Sequence, residues 1–159
     1  MTLSDYGSIA EIAGMVGMIA SLVYVGYQLQ QARLQMKGQA SQARTDALAN
    51  LWLTTTKSDY ASVDTKAFEA VSINELAEPD RRQLNGFMMA WFGFLQNSFY
   101  QQKIGLLDEE QIGFLNQLPY FRQSHVREFW EQHKSFGTYP DDFVAHVDSV
   151  IAKHDAETK

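Results

Sequence analysis

Residues 12–32 run for twenty-one positions without a charge, IAGMVGMIASLVYVGYQLQQA, between Glu11 and Arg33. A chain holding such a run has few ways to fold. A bilayer-spanning helix needs about 20 mostly apolar residues, and a globular domain can hide so long a run only as a buried core helix. Tyr6 lies near one end and Tyr24 and Tyr27 near the other, and tyrosine favours membrane–water interfaces. Tyr6 and Tyr27 stand roughly 31 Å apart on a helix rising about 1.5 Å per residue, close to the thickness of a bilayer core. Gln28, Gln30 and Gln31 crowd the C-terminal end. The expectation is a transmembrane helix over about residues 9–29. The competing one is a core helix of a soluble protein.

The flanks set orientation. Asp5 and Glu11 precede the run, while Arg33, Lys37 and Arg44 follow it. An acidic lead and no small-x-small site after the run argue against a cleaved signal peptide. The positive-inside rule then places the short N-terminus outside and the C-terminal bulk in the cytoplasm.

Past the run, no proline occurs before Thr56 and only Gly38 interrupts good helix formers. Residues 8–56 are therefore expected as one helix of roughly 70 Å, continuing from the membrane into the cytoplasm. Three Pro and ten Gly in 159 residues favour long helices generally, and no stretch alternates at period two. The expected fold is all-α: a long N-terminal helix over 1–58, then a compact bundle of about four to five helices over 59–159. A net charge of -6 argues against a nucleic-acid partner, which requires a basic face. The absence of Cys removes disulfides and thiolate chemistry.

The first helix carries a seam. Gly7, Ala10, Gly14, Gly17, Ser21, Tyr24, Gln28, Gln31, Gln35, Gly38 and Gln42 follow one another in alternating steps of three and four. No charge and no aliphatic side chain larger than alanine falls on it. A second, mostly apolar row runs through Leu22, Val25, Leu29, Ala32, Met36, Ala40, Ala43, Ala47 and Leu51. Small residues in lipid allow helices to approach closely, and a glutamine row hydrogen-bonds to its symmetry copies or to water. Two readings follow for Gly14, Gly17, Ser21, Tyr24, Gln28, Gln31, Gln35 and Gln42: a self-association stripe, or the uncharged polar lining of a conduit inside a ring.

Downstream, residues 54–59 read as a turn and 63–76 as a short helix. Glu78-Pro79-Asp80 opens a helix with Pro in its first turn, and Gly105 closes it. Its segment 86–95, GFMMAWFGFL, is apolar all round but too short to span a bilayer, which marks it as the central core helix. Asp108 is read as the N-cap of a helix ending near Pro119, followed by helices over about 120–136 and from Pro140 onward, with a frayed tail. The four histidines, His125, His133, His146 and His154, complete no recognised metal or catalytic spacing. Asp142 with His146, and His125 with Glu128, offer half-sites at most. Surface or helix C-terminal positions are expected for these histidines, with no metal, no cofactor and no enzymatic role.

The junction 21–31, SLVYVGYQLQQ, resembles a group of small uncharacterised proteobacterial single-pass membrane proteins, in which a hydrophobic helix passes through Leu-x-Tyr-x-x-x-Gln-x-x-Gln into a cytoplasmic helix. Leu22, Tyr24, Gln28 and Gln31 carry that pattern here, and Gly105–Glu110, Phe129-Trp130 and Phe143 echo its downstream segments. Gly26 and Tyr27 depart from it, since such proteins more often have aliphatic residues there. The resemblance implies an inner-membrane, mainly helical protein and supplies no catalytic residue. Three functions compete: a homo-oligomeric membrane-anchored assembly or docking module, whose partners are lipid and its own copies; an oligomeric channel; and a soluble helical ligand-binding protein.

Overall fold

A computed structural model describes residues 3–110, 113 and 119–157. Among these every regular element is helical and none is a strand. Helix α1 runs unbroken over Leu3–Thr55, 53 residues; Gly38 does not interrupt it. By contact the chain divides into two units, Met1–Gln39 and Ala40–Lys159.

The first unit is α1 alone. Residues 10–36 are exposed throughout. The window of α1 apolar enough to cross a membrane has none of its residues buried among the described residues.

The second unit combines the last turns of α1 with α2 (Ser58–Glu69), a 3-10 turn at Ile73–Glu75, α3 (Glu78–Lys103), a 3-10 turn at Pro119–Arg122, α4 (Ser124–Lys134) and α5 (Asp141–Glu157). Helix α3 begins at the expected Pro79 turn. It ends in a glycine cap: Gly105 takes φ +75°, its N–H donates to Gln102 O at 2.8 Å, and Leu106 N–H donates to Gln101 O at 2.8 Å. This paired 6→1 and 5→2 closure needs a residue at ease in the left-handed region. Phe87, Met88, Trp91, Phe92, Phe94 and Leu95 on α3 are buried. Gly86, Met89, Ala90, Gly93 and Asn97 form an exposed strip, so the helix is central without being enclosed.

Aromatic rings fill the core. Phe92 of α3 stacks on Trp130 at 4.9 Å and on Phe129 at 5.6 Å, both from α4, and Phe143 of α5 meets the Trp130 edge at 6.0 Å. Offset and edge contacts like these are worth about 0.5–1.5 kcal/mol beyond area burial. Trp130 Nε1 donates to Asp148 at 2.7 Å, which satisfies a polar group carried into an apolar centre. Ala47, Leu48 and Leu51 of α1 pack against this core.

Three boundaries differ from expectation. Helix α2 starts at Ser58 and stops at Glu69, because the chain turns over Thr56-Lys57 rather than over 54–59. The segment expected as one helix over 120–136 is a 3-10 turn and then α4, parted at Gln123, which holds an extended backbone. The tail is helical as far as the described residues reach: α5 continues to Glu157, with ion pairs Arg127–Asp155 at 2.6 Å and the longer Arg122–Glu157 approach at 3.9 Å. The last two residues of the segment expected to fray lie outside the described residues. The helix expected to follow Asp108 is present at Glu109-Glu110; most of its length lies outside the described residues.

Candidate functional site

The eight seam positions all lie on α1 and all are exposed. A Cβ built on Gly14 or Gly17 would meet nothing within 4 Å, so these glycines serve no close approach among the described residues. Ser21 Oγ donates to Gly17 O at 2.8 Å, which satisfies the hydroxyl within its own helix. Gln31 turns toward Tyr27 and donates to its hydroxyl at 3.1 Å, one turn back. Gln42 sits nine residues before Leu51, half a turn away at about 100° per residue. Leu51 packs on the core and Gln42 is exposed, so on its last turns α1 gives one face to its own domain and leaves the seam's face free.

The titratable cluster inside the second unit was not legible in the sequence. His125, in the first turn of α4, is 2% exposed. This corrects its expected surface or C-terminal place. Asp64 of α2 interacts with His125 electrostatically, and Tyr60, one turn before Asp64, pairs with Tyr120 beside the same carboxylate. Neither ring nitrogen of His125 finds a hydrogen-bond partner, and the Tyr60 and Tyr120 hydroxyls and Asp64 Oδ1 are buried without one of good geometry. Each group responds as desolvation requires. Burial lowers the His125 pKa, with Asp64 and Glu128 opposing. Burial raises Asp64, with His125 opposing. Burial raises Tyr60 and pushes Tyr120 up to about 12. Phe68 closes one side, its ring edge-on to His125 at 5.3 Å. The only sequence signal was the i, i+4 spacing of Tyr60 and Asp64, which does not reveal that α4 packs over it.

The half-sites read from spacing are otherwise engaged. Glu128 accepts from Ser72 Oγ at 2.6 Å, Ile73 N–H at 2.8 Å, Asn74 Nδ2 at 3.2 Å and Gln132 Nε2 at 3.2 Å, pinning the 3-10 turn after α2 to α4. Asp142 accepts from Tyr100 and from Lys103, each at 2.6 Å. Those bonds, Lys103 first, pull its pKa down to about 2. His146 is half-buried against Phe99, ring centroids 4.8 Å apart. His133 accompanies Lys134 in the last turn of α4 and lies over Phe129. His154 occupies the last turn of α5, as a C-terminal histidine should, yet is 6% exposed beside Phe121. Among the described residues no three His, Asp or Glu side chains gather closely enough for a metal ion.

No protein-family model, curated protein or solved structure matches the chain.

Proposed function

We propose that the protein is a membrane-anchored homo-oligomer. Residues 9–29 cross a bacterial inner membrane once, with the N-terminus outside, and the helical domain in the cytoplasm acts as an assembly or docking module. The observation that carries this reading is the bare apolar run. Ile12, Val16, Ile19, Leu22, Val23 and Leu29 are each at least 60% exposed among the described residues. A soluble monomer rarely leaves more than a few hundred Å² of contiguous apolar surface in water, so lipid is the solvent that suits this helix. Copies of the chain supply contacts along the seam, where Gly14 and Gly17 offer open backbone and hydrogen bonding adds about 0.6–2 kcal/mol per contact.

The test is extraction of membranes with alkaline carbonate, followed by mass determination in nanodiscs. The protein is expected in the pellet and larger than one chain. Release into the supernatant ends the membrane reading, and a monomeric nanodisc particle ends the assembly reading. A second reading, a conduit lined by the seam, is favoured by Gln28, Gln35 and Gln42, which are exposed and make no side-chain hydrogen bond among the described residues. Five or more copies with loss of ion flux on Gln35→Leu would select the conduit. Two or three copies that tolerate Gln35→Leu would select the dry stripe.

A further inference from the structure

The second unit carries a ligand-sized hollow with charged side chains in its lining. It is a pocket of about 530 Å³ bounded by Gly113, by the 3-10 turn at Pro119–Arg122 and by α5 from His146 to Glu157, within the size range of small-molecule sites. Its walls include Arg122, His146, Ser149, Lys153, His154 and Glu157. The spacing along α5 explains why these meet: 146, 149, 153 and 157 recur at three and four residues and share one helical face.

We propose that this pocket binds a phosphate group, using Arg122 and Lys153 as its two cations. This net-acidic chain (-6) holds several of its cations in tight ion pairs. Lys66, Lys103 and Arg127 each reach a carboxylate at 2.6 Å, and Lys134 does so at 2.7 Å. The pocket cations are different. Lys153 makes no ion pair among the described residues, and Arg122 meets Glu157 only at 3.9 Å, too long for the bidentate geometry that guanidinium prefers. Two cations therefore face the hollow against one loosely held carboxylate. A phosphate, with three strong acceptor oxygens, can engage the Arg122 fork and the Lys153 ammonium together. Ser149 offers no donor, because its hydroxyl already donates to His146 O at 2.9 Å. His146 and His154 supply imidazole walls.

The phosphate can belong to a soluble metabolite or to a lipid headgroup, and one experiment separates them. The full chain is placed in phosphatidylcholine nanodiscs and titrated with inorganic phosphate at constant ionic strength, reading the thermal midpoint and the ³¹P linewidth. Sulfate and chloride serve as ionic controls, and a parallel set of nanodiscs carries phosphatidic acid. Phosphate is expected to raise the midpoint and broaden the ³¹P line. Lys153→Gln, a change at an exposed position, is expected to weaken that response at least tenfold while leaving the phosphate-free midpoint in place, and the Arg122→Gln/Lys153→Gln pair is expected to weaken it further. Protection by phosphatidic acid but not by inorganic phosphate assigns the group to a lipid; the reverse assigns it to a soluble ligand. Absence of both responses overturns the proposal, as does an undiminished response in Lys153→Gln and the pair. None of these readouts depends on subunit number, so the pocket and the assembly reading stand or fall separately.

Discussion

His125 shows how one buried side chain can give a domain a pH dependence. Its pKa lies below the ordinary 6.5 because burial opposes the charged ring. As pH falls below 6.5 the unfolded chain takes up a proton that the folded chain resists. The contribution of neutral His125 is therefore whole above that value and is lost as pH falls through the lower folded-state pKa. Asp64 works in the opposite sense. Burial raises its pKa above 3.8, so its ionisation weakens the fold as pH rises through the raised value. Urea midpoints in mild detergent should fall between about pH 7.5 and about pH 5, and His125→Phe should flatten that slope. Asp64→Asn should raise the midpoint at about pH 7.5 and leave it unchanged at about pH 3. A slope that persists in His125→Phe would move the effect to His146, whose pKa burial also lowers.

Elements differ in how much of their shape is written locally. Helix α3 was legible because proline and glycine punctuate it: Pro79 can occupy only the first turn, and Gly105 holds φ +75°. Gly105→Ala should accordingly cost about 1 kcal/mol, since a Cβ disfavours that region, measured as a lower urea midpoint with an unchanged slope. The end of α5 was illegible for the complementary reason. The residues that hold it, Arg122 and Arg127, come from a different stretch of chain, and nothing in AKHDAETK announces them. The same applies to α2, whose short amphipathic pattern left its start undefined, and to His125, whose burial is decided by the packing of α2 against α4. Local signals marked where helices stop at Pro and Gly. They could not report which polar side chains would be enclosed once the helices met.

At the scale of the whole molecule, the all-helical architecture and the long first helix were both readable, because a charge-free run and the scarcity of breakers speak over many residues at once. Among the described residues the seam is exposed and its printed hydrogen bonds stay within α1, so the proposed assembly reading predicts that other copies touch it. Gly14→Leu with Gly17→Leu should reduce or dissociate the complex in nanodiscs, and Val16→Leu should not. Cysteine at Gln35 should crosslink between chains far more readily than cysteine at Lys37, which lies about 200° around the helix from it. Equal crosslinking would place the contact on another face.

The three/four spacing has a geometric sequel. A straight helix turns once in about 3.6 residues, so a row repeating every seven slips about 20° per repeat. Between Gly14 and Gln35, three such repeats, the row drifts by about 60°. Straight neighbours lying parallel would meet at one end of it and part at the other. If copies pair along the seam as proposed, staying in register requires them to wind about one another as a left-handed rope, and loosening the glutamine end would then be felt at the glycines as a change in twist.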